Sequence, residues 1–154
     1  MKFRKQVDHI LGVFLAAIMA IMTINVLWQV FTRFVMGTPS SFTDELARYL
    51  MIWVGVLGAA YISGKRMHVA IDLFPSKLKP ENQKKLKIVV NWIIIVFCFS
   101  ALVIGGIRLV YITFTLGQYS PALQIPLGIV YLVIPLSGIL IIYYKISDIV
   151  NKQL

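Results

Sequence analysis

The chain has 154 residues, of which 59% are apolar and 14% charged, with a net charge of +9. A soluble domain carries about a quarter charged residues; here residues 10–31, 50–64, 88–107 and 109–144 contain none. These composition blocks argue against a conventional soluble core and against a basic nucleic-acid-binding face, and for a single membrane domain over 1–154.

The first expected span is 10–35. Lys2, Arg4 and Lys5 precede it. It is too long for the apolar region of a cleavable signal, so it should remain as an anchor. At 1.5 Å per residue it makes a helix of about 39 Å. The hydrocarbon core is about 30 Å thick, so such a helix tilts or projects. Arg33 falls at the outer boundary. It either snorkels to headgroups or reaches Asp44 or Glu45 across the short segment "MGTPS".

The second span, 46–63, opens with "SFTDELARYLMIW". Asp44 and Glu45 stand at the positive end of its dipole, and Ser41 or Thr43 is placed to cap it. Arg48 is at i+4 from Asp44 and i+3 from Glu45, so pairing within the helix is available. The cluster reads either as a stabilised helix end or as a periplasmic surface that meets another protein. Gly55 with Ala59, and Ala60 with Gly64, have small-xxx-small spacing, which permits close helix approach inside the bundle or against a partner subunit.

Residues 64–87 form a basic loop with Lys65, Arg66, Lys77, Lys79, Lys84, Lys85 and Lys87. The positive-inside rule places this loop and both termini in the cytoplasm, as four spans require. Its mix of lysines with Leu78 and Leu86 suits an interfacial helix against anionic headgroups, and almost equally a solvated loop.

The third span, 88–114, holds Trp92 near the inner interface, Gly105 and Gly106, and Arg108 near the outer boundary. Cys98, the one cysteine, reads as a small apolar core residue. Turn residues at 117–121 end the span. The fourth, 123–144, starts near Pro126, carries Gly128 and Gly138, and should kink at Pro135. The fold class is therefore all-α integral membrane: four transmembrane helices, the first and third long and tilted.

No acid lies in the interior of any span, where coupled carriers usually keep an ionisable group. His9 and His68 sit at cytoplasmic edges, too shallow for a haem between helices, and no cluster has metal-ligand spacing. No nucleophile–base pair is evident. Neither an enzyme nor a cofactor is expected.

The stretches "QVFTRFV" and "FTDELARYLMIWVGVLGAAYISGKRMHVAID" resemble the small membrane subunit, DctQ-like, of tripartite ATP-independent periplasmic (TRAP) transporters. The matching positions are Asp44, Glu45, Arg48, Trp53, Gly58, Ala59, Ala60, His68 and Asp72. Phe42 and Asp44 stand where that family often has Trp and Glu. The resemblance implies a bacterial inner-membrane scaffold, paired as a heterodimer with a large membrane subunit and served by a periplasmic substrate-binding protein. Sodium and the organic acid, of C4-dicarboxylate or sialic acid type, would bind the large subunit. Arg33, Asp44, Glu45 and Arg48 would anchor the outer helix end or dock the binding protein. Two rivals are a membrane anchor for a redox enzyme, which wants histidines at helix depth, and a small four-helix multidrug exporter, which wants a glutamate within its first span.

Overall fold

A computed structural model describes residues 2–38, 40–65 and 80–150. His68, Asp72 and most of the basic loop, including the proposed start of an interfacial helix, lie outside the described residues. Among the described residues, four helical stretches are long and apolar enough to cross a membrane.

Helix α1 is Lys2–Phe34. It starts well before residue 10, because nothing in "KFRKQVDH" breaks a helix, and runs about 50 Å at 1.5 Å per residue. Gly37, with φ +70°, turns the chain after it. Helix α2 is Ser41–Lys65. The Thr43 hydroxyl donates to the Ser40 carbonyl at 2.9 Å, so it closes the first turn instead of accepting a helix N–H as a cap.

The third stretch is one long rod in three parts: α3 (Pro80–Phe97), a π-helical segment (Cys98–Ile104) and α4 (Gly105–Thr115). Proline suits a first helical position, because its missing N–H is not needed there. The helix begins eight residues before the expected span at 88, so the end of the basic loop is helix. The π segment was not legible in the sequence. Gly105 N–H reaches back to Ser100 O as well as Leu102 O, which is the wider turn. Thr113 and Phe114 carbonyls accept from Gln118 N–H and Gly117 N–H at 3.1 Å each. With Gly117 at φ +57°, this is a Schellman end.

The fourth stretch is α5 (Leu127–Tyr131) and α6 (Val133–Val150), interrupted at Leu132. Pro135 cannot donate to Tyr131 O and its ring crowds that carbonyl, so the helix loosens one turn earlier.

Helix α1 packs on α2, α2 on α6, and α6 on α3 and the π segment, while α5 packs on α4. The spans are thus ordered one, two, four, three. The fourth is the most enclosed, with 44% of its apolar window buried against 17–22% in the others. Leu11, Leu15, Leu57 and Val133 form one core cluster; Ala60, Cys98 and Ile141 form a second. Spans three and four touch through glycine: a Cβ on Gly138 would lie 2.8 Å from Leu102 Cβ. Close backbone approach of this kind supplies van der Waals packing where lipid removes the hydrophobic drive between helices.

Candidate functional site

Polar side chains gather at the two ends of the bundle. At the end away from the N-terminus, polar residues of the α1–α2 hairpin meet. Asn25, buried on α1, donates to Thr43 O at 2.7 Å. One turn on, Gln29 donates to Asp44 Oδ1 at 3.2 Å. Arg48 donates to the other oxygen, Oδ2, at 3.1 Å, in an i,i+4 ion pair that stays largely exposed.

Arg33 is exposed and forms no ion pair with either acid. It lies about 6 Å farther along α1 than Gln29, and Gln29 occupies the level where Asp44 sits. The contact anticipated between Arg33 and the acids is therefore absent. Arg108 is likewise exposed and in no ion pair among the described residues.

Glu45, next in sequence, faces a different way. Its Oε2 accepts from the Ser120 hydroxyl, from Ala122 N–H at 3.0 Å and from Leu123 N–H at 3.1 Å. Ser120 is fully buried, and its hydroxyl oxygen also accepts from Leu123 N–H at 3.2 Å. Ser120 N–H to Ile125 O and Gln124 N–H to Ser120 O, both 2.9 Å, close the loop around this point. The carboxylate thus organises an uncharged loop that has no other anion to receive its amides. Of the two intrahelical pairings open to Arg48, the one with Asp44 forms; for Glu45 the overlooked signal was an uncharged loop rich in N–H groups.

Helix α2 has two unlike faces. Trp53 projects inward, and its indole N–H donates to Val130 O at 3.1 Å, beside the break at Leu132. Ala60 is fully buried, and Gly64 abuts the Tyr144 ring. On the opposite face, Met51, Gly55, Ala59 and Ile62 are exposed, in line with Asp44 and Arg48. A Cβ added to Gly55 or Gly58 would meet nothing within 4 Å. The small residues therefore divide: Ala60 and Gly64 serve the fold, while Gly55, Gly58 and Ala59 do not all turn inward.

At the other end lies a network that the sequence reading missed. Arg4 donates to Asp148 Oδ1 at 2.7 Å and to Gly64 O at 2.6 Å. Its guanidinium lies 5.4 Å over the Tyr144 ring, whose hydroxyl donates to Asp8 Oδ1 at 2.7 Å. The Asp148 side chain is 6% exposed and that of Arg4 16%. Helices α1, α2 and α6 are thus tied at one point. The available signal was an acid beside cations at the matching ends of the first and last spans, in "RKQVDH" and "YKISD".

Among the described residues no group of three or more His, Cys, Asp or Glu could hold a metal ion. Both clusters fasten helices and loops; neither aligns a nucleophile with a base.

A family model described as "Tripartite ATP-independent periplasmic transporters, DctQ component" matches residues 22–153. A TRAP transporter small permease protein of Haemophilus influenzae is 28% identical over 145 residues, 94% of this chain and 88% of that protein. The sialic acid TRAP transporter small permease protein SiaQ of Vibrio cholerae is 25% identical, over 96% of this chain and 84% of its own length. The isethionate TRAP transporter permease protein DctMQ of Oleidesulfovibrio alaskensis is 30% identical over 71% of this chain, which spans only 17% of that protein. Neither rival reading, redox anchor or multidrug exporter, draws support from these similarities.

Proposed function

The chain belongs to the DctQ component family of tripartite ATP-independent periplasmic transporters, and from that premise we propose that it is the small permease subunit of such a system. It is a multi-pass inner-membrane protein. In this reading it forms the static part of a heterodimer with a large membrane subunit and takes part in sodium-coupled, binding-protein-dependent uptake of an organic acid. Sodium and substrate, of C4-dicarboxylate or sialic acid class, bind the large subunit, and this chain carries no cofactor.

One observation carries the partner reading: the open face of α2, where Gly55 and Gly58 meet nothing. Small residues let a second helix approach closely, and that contact is what holds helices together in lipid. The isethionate permease protein supports it independently. There, the region similar to this chain is a minor part of one long polypeptide, so such a unit is compatible with permanent attachment to a larger permease body. Fastened ends fit a scaffold, since a moving carrier domain needs interfaces that release.

The test has two arms. Expressed with the large permease product of a neighbouring gene, the chain should purify as a stable pair, and the pair with its binding protein should take up an organic acid in liposomes under a sodium gradient. The chain alone should give background flux. Robust sodium-driven uptake by the chain alone would reject the scaffold reading.

A further inference from the structure

At the end of the bundle that carries the N-terminus, an open cleft of about 590 Å³ lies between α1 and α2. Its rim carries Lys5, His9 and Lys65, and its floor is Gly12, Val13 and Ala16. Tyr61 forms a wall, with the Lys65 ammonium 5.4 Å over its ring. A Cβ on Gly12 would stand 3.3 Å from the Tyr61 hydroxyl, so glycine leaves the cleft its depth.

The charges here are divided between two tasks. Arg4 is turned away and committed to Asp148 and Gly64 O. Asp8 lines the cleft, and its Oδ1 is taken by Tyr144. Lys5 and Lys65 are exposed, and among the described residues neither is ion-paired with a carboxylate. Below them, Ile10, Val13 and Phe14 expose apolar surface where α1 enters the hydrocarbon.

We propose that this cleft binds an anionic phospholipid of the adjacent leaflet. Lys5 and Lys65 hold the phosphodiester oxygens, and an acyl chain follows Gly12, Val13 and Ala16. Ammonium groups are suited to phosphate as point charges on flexible stems, and basic residues beside a span favour anionic headgroups. A phosphocholine headgroup would bring a quaternary ammonium against two lysines. A free phosphate lacks the apolar contact of an acyl chain, so it binds weakly. The inference rests on the membrane-spanning fold and stands apart from the transport reading.

The full chain, purified and stripped of lipid in detergent, is titrated with short-chain phosphatidylglycerol, with the phosphatidylcholine of equal chain length, or with inorganic phosphate. Bound molecules are counted by native mass spectrometry. One phosphatidylglycerol should be retained in preference to phosphatidylcholine. K5Q/K65Q should lower that retention about thirtyfold, as two lysines beside an anionic surface imply, and K85Q/K87Q, outside the cleft, should not. Ala16→Trp, which fills the floor and keeps every charge, should also lower it. Equal retention of the two lipids, equal loss in both lysine pairs, or displacement of the lipid by equimolar phosphate overturns the proposal. Should K5Q/K65Q fail to fold, unchanged retention in Ala16→Trp overturns it equally.

Discussion

Asp44 and Glu45 are adjacent carboxylates with different surroundings, and their removal should have different consequences. Asp44 pairs with Arg48 in the open, where an i,i+4 pair contributes about 0.3–0.5 kcal/mol. Glu45 receives three donors, one of them the hydroxyl of a fully buried serine. Ser120→Ala should therefore destabilise the chain by about 1–2 kcal/mol, the usual cost of a lost buried hydrogen bond. Glu45→Ala should be more damaging than Asp44→Ala in thermal unfolding in detergent, and equal melting of the two acid variants would contradict this division. The same contrast holds between ion pairs. Arg4→Met removes a charged hydrogen-bond partner from a largely buried aspartate and should cost about 1.5–3 kcal/mol, whereas Arg48→Met should cost about 0.5 kcal/mol or less. At this scale the sequence showed which residues were chemically conspicuous but not whom they face. Asp44 and Arg48 share a helix, so their pairing was readable. The partners of Glu45, Arg4 and Asp8 are 60 or more positions away in most cases, and no local spacing encodes such contacts.

Helix α2 starts with polar residues, yet it is the element on which the fold and the proposed interface both depend. Its small residues looked equivalent by spacing. Packing separates them: a Cβ on Gly64 would come within 2.7 Å of the Tyr144 ring, and one on Gly55 would meet nothing. Gly64→Leu should overpack the junction of α2 with α6 and cost about 1–3 kcal/mol or prevent folding. Gly55→Trp should leave the isolated chain as stable as wild type. If the open face receives a helix of the large subunit, the same Gly55→Trp should abolish co-purification of the pair; an intact pair would place the interface elsewhere. The number and apolar character of the spans were legible, since uncharged runs of such length have few alternatives. Boundaries were less so. Charged residues extend α1 and α3 beyond the apolar runs without breaking the helix. The π segment in the third stretch packs Leu102 and Val103 against Gly138 of another helix, a contact with no local signature.

For the whole molecule, the order of spans one, two, four, three puts the most enclosed helix between the second and third spans, with the two long spans at the outside exposing apolar flanks. Charges lie toward the ends, so orientation is decided by their imbalance. Lys2, Arg4, Lys5, Lys65, Lys84, Lys85, Lys87 and Lys145 share the end with the N-terminus, whereas the two connections at the opposite end carry few basic residues. The positive-inside rule then predicts that both termini face the cytoplasm. A labelling experiment needs probe sites that the fold leaves accessible. Ser120 is unsuitable, because it is fully buried under Glu45. Gln118 is exposed in the same loop, and Lys85 is exposed at the opposite end of the third stretch. In a Cys98→Ala background, Gln118→Cys in intact cells with a permeabilised outer membrane should react with an impermeant maleimide, and Lys85→Cys should react only after the inner membrane is opened. Cys98 is buried against Ala60 and Ile141, so its replacement by alanine removes little volume. Labelling of Lys85→Cys but not Gln118→Cys would invert the orientation. It would also put the Asp44–Arg48 pair and the Glu45-bound loop in the cytoplasm, out of reach of any periplasmic binding protein.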